Sequence, residues 1–254
     1  MLDDNGQGLS DTELKDELLT FLFAGHETTA TALTWALYWI HRNPEVLQKL
    51  QSELGMLSSS NEPMMIAKLP YLTAVVNEVL RIHPVAMLMF PRRVEVAINL
   101  AGFELHPGDV LLGCIQAVHE RTDLYTDPLL FNPDRFLKSN YSLYEFLPFG
   151  EGSRRCIGSA LALYEMKLIL AYLVKNQVLK LTRKSDHPNQ PRRRGFTLRP
   201  SRAVRLQIIQ DRLTRKQRKT YTASAATFDE TLPVSHNHLG TRTLNGSEVR
   251  SKPL

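Results

Sequence analysis

The sequence has very few cysteines. Its 254 residues include only Cys114 and Cys156, which stand 42 positions apart and form no C-x-x-C pair. This spacing argues against a disulfide framework or a cysteine-based zinc cluster, and it favours a reducing, intracellular setting. The start of the sequence lacks a signal-peptide pattern, and the longest apolar region, residues 18–40, is interrupted by His26 and Glu27. Because such polar side chains are costly inside a bilayer, we expect no membrane span.

Most of the net positive charge lies at the end of the chain, and the rest of the sequence carries little. The net charge is +5, but residues 211–254 hold eight lysines and arginines against four acidic residues, so the main body is nearly neutral. We therefore expect no nucleic-acid partner. The end segment is poor in core residues and rich in polar ones, which predicts a disordered, basic tail over 211–254. We expect one domain over residues 1–210 and a cytoplasmic location, with peripheral association with a membrane left open.

Local signals predict a mainly α fold with small β-sheets. Ser10 and Glu13 form a capping box, and the helix that begins there should end at Arg42, before Asn43 and Pro44. This helix is apolar nearly all round, so we expect it to be buried.

The remaining elements follow from the same kinds of signal. Helices are predicted from Pro44 to residue 53 or 54, from Tyr71 to Ile82, and from just after Cys156 to about Lys175. Short strands are expected at Val94–Ile98 and Asp109–Leu112, with two or three more within 178–208. Residues 119–150 show little periodicity and predict a long ordered loop, a feature that is usually functional.

The most informative stretch is the glycine-rich segment 149–158, with Cys156 near its end and a helical run after it. Glycine lets a backbone turn tightly and approach a flat ligand. The start of a helix presents free N–H groups and partial positive charge, which suits a thiolate, the metal-binding form of cysteine. One alternative, a small buried apolar thiol, is disfavoured by the glycines and Arg154. A second, a nucleophile paired with a histidine, gives the glycine and arginine approach no role.

Three further motifs precede this segment, namely A-G-H-E-T-T at 24–29, E-V-L-R at 78–81 and N-P-D-R-F at 132–136. Together with the cysteine segment, these motifs resemble the C-terminal half of the cytochrome P450 family of haem-thiolate monooxygenases. The resemblance covers roughly residues 9–208. Residues 23–30 and 35–38 look most like bacterial members, cyanobacterial ones among them. Asp134 stands where the family frequently has Glu, while Arg135 is in place.

The resemblance implies a haem cofactor with Cys156 as axial thiolate ligand, and O2 as co-substrate. Arg154 and Arg92 correspond to residues that pair with the haem propionates, and Phe149 should shield the sulfur. Gly25 should leave room for O2 and help the long helix to open locally. The full set of cofactor-binding residues is Cys156, Arg154, Phe149, Gly150, Gly158, Arg92, Ala24 and Gly25.

Other residues receive supporting roles from the same resemblance. Glu27 and Thr28 match an acid–alcohol pair that relays protons. Glu78, Arg81 and Arg135 match a buried network that fastens the long loop. The substrate pocket should be bordered by apolar residues, namely Phe23, Val85, Ala86, Met87 and Leu88.

Simpler interpretations of these residues stay open. Arg92 could be a solvated charge, with Arg93 beside it equally suited to the role. Glu27 and Thr28 could be an ordinary polar stripe on a helix, and the E-x-x-R pair a surface salt bridge. Residues 85–89 could simply pack in the core.

The resemblance implies a hydrophobic substrate and an electron donor of the ferredoxin or flavoprotein reductase type. A fatty acid or hydrocarbon is the expected substrate class, and a terpenoid or sterol is the alternative. Arg155, Lys167 and the arginines at 192–194 could offer a basic surface to an acidic donor, or could simply be a solubilising face.

Family members are about twice this long, and their N-terminal helices have no counterpart here. We therefore expect a truncated chain that holds haem weakly or not at all by itself. The competing hypothesis is a non-catalytic fragment without haem.

Overall fold

The structure is a computed structural model, and it describes residues 6, 8–57, 63–182 and 189–212. The chain divides into one unit from Met1 to Arg212 and another from Leu213 to Leu254. Every described residue belongs to the first unit. The predicted disordered tail lies outside the described residues, apart from Asp211 and Arg212, and it stays a prediction.

The fold is mainly helical with small antiparallel sheets, as predicted. The α-helices of the described residues are α1 (Asp11–Arg42), α2 (Pro44–Gly55), α3 (Pro63–Ile66), α4 (Pro70–Ile82), α5 (Ile115–His119), α6 (Arg135–Lys138) and α7 (Ser159–Asn176). Pro44 and Pro70 each occupy the first turn of a helix, where a missing N–H is harmless. The predicted helix boundaries were therefore correct to within two residues for α2, α4 and α7.

Helix α1 begins and ends where its capping signals predict. The Glu13 N–H donates to Ser10 Oγ at 3.3 Å, and the Ser10 N–H donates back to Glu13 Oε2 at 2.8 Å. Asn43 has extended backbone and ends the helix. The expectation that the whole helix is buried was wrong. Its first half is exposed, including Leu22 at 68% and Phe23 at 74%, and the buried residues of α1 begin only at Thr29.

The core forms where the second half of α1 meets α2, α4 and α7. Its largest fully buried apolar members include Trp35, Tyr38, Leu50, Leu72 and Met166. Burying one such side chain stabilises the fold by about 1.5–3 kcal/mol. This core fixes α7, the helix that follows Cys156, against α1.

The strands pair into four small antiparallel sheets in the described residues: β1 (Arg92–Arg93) with β4 (Val110–Leu111), β2 (Ile98–Leu100) with β3 (Phe103–Leu105), β5 (Gln177–Leu181) with β8 (Leu206–Asp211), and β6 (Pro191–Arg194) with β7 (Thr197–Pro200). Four strands thus follow α7 instead of the two or three expected.

The strand predicted at Val94–Ile98 was wrong except for its last residue. The Val94 N–H donates to the Asp109 carbonyl at 2.8 Å, and the Gly108 N–H donates to the Val94 carbonyl at 2.8 Å. A tight turn follows further on, where Ala101 and Gly102 have φ of 52° and 88°. That turn sets the hairpin register, so the second strand begins at Ile98.

Candidate functional site

The segment 149–158, here called the cysteine loop, folds back on itself. Gly150 and Gly152 have φ of 69° and 75°, values that favour glycine. The Cys156 N–H donates to the Phe149 carbonyl at 3.0 Å, which closes the loop. A 3₁₀ turn at Gly152–Arg154 lies inside it. These features present Cys156 just before the first turn of α7.

The Cys156 side chain is exposed at the surface of the described chain. A Cβ placed on Gly158 would lie 3.9 Å from Cys156 Sγ, while one on Gly152 would meet nothing within 4 Å. The neighbouring Ile157 is 83% exposed. An accessible thiol, small residues around it and an unburied apolar side chain together fit a flat, largely apolar metal cofactor such as haem.

Both predicted propionate partners, Arg154 and Arg92, have side chains that are accessible to an anion. Arg154 ends the 3₁₀ turn, and Arg92 lies in β1 opposite Leu111. Both are exposed, and neither side chain makes a hydrogen bond or ion pair within the described part of the chain. Arg155 instead has its Nε 3.9 Å from Glu151 Oε2. The exposed guanidinium groups of Arg154 and Arg92 therefore suit carboxylate ligands.

The middle of α1 holds the predicted proton-relay residues. Ala24, Gly25 and Glu27 are exposed, and Thr28 is half-buried. Thr28 Oγ1 donates to the Ala24 carbonyl at 2.6 Å. The expected local opening of the helix at Gly25 is absent, because α1 is regular α-helix from Asp11 to Arg42.

The segment Val85–Met89, predicted to border the substrate, is held on both edges. On one edge the Leu198 N–H donates to the Val85 carbonyl at 2.8 Å, and Ala86 is bridged to Thr197. On the other, the Met89 N–H donates to the Gly113 carbonyl at 2.8 Å, the Gln116 N–H donates to the Met87 carbonyl, and Leu88 is bridged to Cys114. The segment is thus a fixed strand-like wall. Val85 also packs against the core, so part of it serves packing.

Met89 connects this wall to the cysteine loop. A Cβ built on Gly113 would lie 2.8 Å from Met89 Sδ, and one on Gly150 would lie 3.9 Å from Met89 Cε. The absence of a side chain at Gly113 is therefore required for Met89 to reach its place. Phe149, the first residue of the loop, is half-buried and packs against the core.

The structure brings Glu78, Arg81 and Arg135 into one buried network, with side-chain exposures of 0%, 0% and 5%. Arg81 Nε and Nη2 donate to the two Glu78 oxygens at 2.7 and 2.8 Å. Arg135 Nε donates to Glu78 Oε1 at 3.2 Å. A surface salt bridge is therefore the wrong description of this pair.

The network also holds the long loop through its backbone. The Asn132 N–H donates to Glu78 Oε1 at 2.9 Å, and Arg135 Nη1 donates to the Thr126 carbonyl at 2.9 Å. Arg81 Nη1 donates to the His119 carbonyl at 2.9 Å. Each guanidinium thus serves both Glu78 and a loop carbonyl.

Two buried histidines were not singled out from the sequence. His83 stacks on Trp35 with ring centroids 3.7 Å apart, and neither of its ring nitrogens has a partner among the described residues. Burial, reinforced by the Arg81 charge, lowers the pKa of His83 to about 3. His119 is fully buried, and burial lowers its pKa to about 4. In the sequence, His83 could be recognised only as a histidine close to the motif at 78–81, and His119 only as a histidine at the start of the long loop.

The basic surface proposed for an electron donor is only partly present. Lys167 is half-buried, and its Nζ donates to the Ala67 carbonyl at 2.8 Å; burial also lowers its pKa. Arg155 and the three arginines of β6 are exposed. Lys167 therefore contributes packing and a hydrogen bond in place of free surface charge.

The profile of the cytochrome P450 family matches residues 1–206. The chain belongs to the cytochrome P450 family. It is 36% identical over 223 residues to cytochrome P450 135B1 of Mycobacterium tuberculosis, covering 88% of this chain and 45% of that protein. It is 32% identical over 208 residues to cytochrome P450 3A40 of Oryzias latipes, covering 80% and 41%.

A third relative is flavonoid 3'-monooxygenase of Arabidopsis thaliana, 36% identical over 185 residues, which are 68% of this chain and 36% of that protein. The chain thus spans less than half the length of these curated relatives. Among the described residues, no helix is both long and apolar enough to cross a membrane.

Proposed function

We propose that this chain supplies the haem-ligand half of a monooxygenase that inserts one atom of O2 into a hydrophobic substrate. The observation that carries the proposal is the exposed Cys156 on a glycine-shaped loop at the start of α7. The family relationship supports the same chemistry. A haem held here would supply redox-active iron that activates O2, with a thiolate donating electron density.

The chain's own residues would have distinct tasks. Cys156 Sγ would hold the iron, while Arg154 and Arg92 would bind the propionate carboxylates. Phe149 would cover the sulfur, and Gly150 and Gly158 would keep side chains away from the cofactor plane. Ala24 and Gly25 offer a face of α1 without bulk.

Glu27 and Thr28 would handle protons on the opposite side of the cofactor. Thr28 Oγ1 donates a hydrogen bond to the Ala24 carbonyl at 2.6 Å, so its lone pairs remain able to accept a hydrogen bond from water or another donor. Glu27 is exposed on the same helix and can exchange protons with water. Together they would pass protons toward the oxygen-binding side.

The substrate and donor are proposed at a coarser level. The wall formed by Val85–Leu88, together with Phe23 on α1, is apolar, which suits a fatty acid or hydrocarbon better than a polar substrate. A terpenoid or sterol is the second substrate class. The electron donor would be a ferredoxin or a flavoprotein reductase, approaching a basic surface that includes Arg155.

Haem titration of the purified 254-residue chain tests the proposal. We expect Cys156→Ser to abolish the thiolate-type absorption of the reduced, carbon monoxide-bound protein, and the matched Cys114→Ser variant to retain it. Cys114 is the suitable control because it is the only other cysteine of the sequence, and its backbone is bridged to Leu88 outside the cysteine loop.

A thiolate signal that survives in Cys156→Ser would overturn the ligand assignment. No signal in the wild-type chain under any haem concentration would favour the alternative, a non-catalytic fragment. The intact cysteine loop and the complete Glu78–Arg81–Arg135 network argue against that alternative.

A further inference from the structure

His119 lies between the buried charge network and the approach to the cysteine loop. Its ring Nδ1 is 3.1 Å from the Arg81 carbonyl oxygen in the last turn of α4. Its Nε2 accepts a hydrogen bond from the Leu147 N–H at 3.1 Å. Its own carbonyl accepts from Arg81 Nη1 at 2.9 Å. One residue therefore contacts α4 twice and the loop approach once.

These partners select a single tautomer of the imidazole. A peptide N–H can only donate, so Nε2 must carry a lone pair toward Leu147. A carbonyl oxygen can only accept, so Nδ1 must carry the proton toward Arg81. A neutral ring with the proton on Nδ1 satisfies both contacts. A protonated ring would aim an N–H at another N–H and add a second cation beside Arg81.

The contact at Leu147 continues into the cysteine loop. The Leu147 carbonyl accepts from the Gly150 N–H at 3.0 Å, and the Phe149 carbonyl accepts from the Cys156 N–H at 3.0 Å. The Leu147 N–H belongs to the peptide group before Leu147 and the carbonyl to the peptide group after it, so both sides of this residue are held by hydrogen bonds. Holding both peptide groups restricts the backbone rotation at Leu147 that sets the direction in which the first turn of the loop starts.

Aromatic packing holds the His119 ring at the required angle. The ring stacks on Phe146, with centroids 5.6 Å apart and planes at 27°. Tyr125 meets it edge-on with centroids 6.3 Å apart, and the Tyr125 hydroxyl donates to the Glu145 carbonyl at 2.8 Å. Phe146 thus belongs to the segment that leads into the cysteine loop, and Tyr125 is hydrogen-bonded to that segment.

We propose that His119 is a positioning residue for the cysteine loop, which it couples to the Glu78–Arg81–Arg135 network through a neutral imidazole protonated on Nδ1. The loop's role as a metal-ligand loop rests on the proposed function. The coupling itself is a property of this chain and can be measured without haem.

Three substitutions separate the two ring contacts. In His119→Gln, the side-chain amide reaches the position of Nε2 and can accept from Leu147. In His119→Asn, the shorter amide reaches the position of Nδ1 and can donate to the Arg81 carbonyl, leaving Leu147 without an acceptor. His119→Phe keeps a ring against Phe146 and removes both contacts.

Amide hydrogen exchange of the full-length chain, read by mass spectrometry on peptides covering 147–156, provides the measurement. We expect the Asn and Phe variants to exchange about tenfold faster there than wild type, the size of effect expected when one buried hydrogen bond is lost. The Gln variant should stay close to wild type. Peptides of α7 should be protected equally in all four proteins, which shows that each is folded.

The same peptides also show what would overturn the proposal. Unchanged protection of these peptides in the Phe variant would refute the coupling. Equal exchange rates in the Asn and Gln variants would refute the specific role of Nε2. If the Asn and Phe variants do not fold, the decision falls to wild type and the Gln variant.

In wild type, nitrogen NMR of labelled histidine distinguishes protonated from unprotonated ring nitrogens. We expect one fully buried ring with the proton on Nδ1, assigned to His119 by its loss in His119→Gln. A proton on Nε2 of that ring would refute the proposal. Failure of the chain to bind haem would leave these readouts unaffected, so it would count only against the proposed function.

Discussion

Replacing Glu78 by glutamine tests how strongly the buried network stabilises the fold. The Glu78 carboxylate accepts from Arg81 twice, at 2.7 and 2.8 Å, and from Arg135 at 3.2 Å. Its exposure is 0%. Glutamine keeps one carbonyl oxygen, but its NH2 group would face guanidinium donors, and the two buried cations would lose their counter-ion.

Removing one partner from a buried ion pair costs about 3–5 kcal/mol. We therefore expect Glu78→Gln to lower the free energy of unfolding by about that amount, a large fraction of the ~5–15 kcal/mol typical of a domain. Urea unfolding followed by circular dichroism gives this free energy from the midpoint and slope.

Asp134→Asn is a matched control in the same part of the chain. Asp134 pairs with Lys49 at 2.6 Å, but the two side chains are 31% and 52% exposed. An exposed pair contributes about 1 kcal/mol or less. If Glu78→Gln destabilises the protein no more than Asp134→Asn does, the buried network is not the anchor described above.

Three further changes have outcomes that the structure fixes. Both buried histidines have pKa values below the ordinary 6.5, about 3 for His83 and about 4 for His119, so the unfolded state binds more protons below pH 6.5. Their contribution to stability is present above pH 6.5 and is lost as the pH falls, toward 4 for His119 and toward 3 for His83; by pH 4.5 each should lower the free energy of unfolding in urea by roughly 2–3 kcal/mol, and His83→Phe should flatten that dependence. Gly113→Ala should destabilise the protein, because its Cβ would lie 2.8 Å from Met89 Sδ; Met89→Ala in the same chain should relieve the clash, and additive effects of the two changes in thermal unfolding would contradict the contact. Gly25→Ala should raise the stability by about 0.5–1 kcal/mol, since a Cβ there meets nothing within 4 Å on a regular helix; a loss of stability in urea unfolding would show that α1 is not regular at this position.

Structural features that depend on residues close together in the chain could be predicted from the sequence. The capping box at Ser10, the stop at Asn43 and the prolines that open α2 and α4 each act within one helical turn, so the helix boundaries followed. The strand register did not follow, because Val94 is paired by Gly108 and Asp109, fourteen and fifteen residues away. Pairing at that distance depends on where the intervening turn falls. Because the turn lies at Ala101 and Gly102, the strand begins at Ile98 and not at Val94 as predicted.

The same distinction separates what the sequence revealed of the site from what it concealed. The motif residues Cys156, Glu78 and Arg81 are recognisable because their side chains act, so their identities and spacing carry the information. His119 acts on the carbonyl of Arg81 and the N–H of Leu147, and a backbone partner is the same for nearly every residue type. No pattern in the sequence can mark such a contact, since Leu147 would offer the same N–H if it were any residue but proline. A connection between a buried charge network and a ligand loop that runs through peptide groups is therefore visible only once the chain is folded. This connection can be tested only by substituting His119, because its side chain is the one partner in these contacts that other residue types cannot supply.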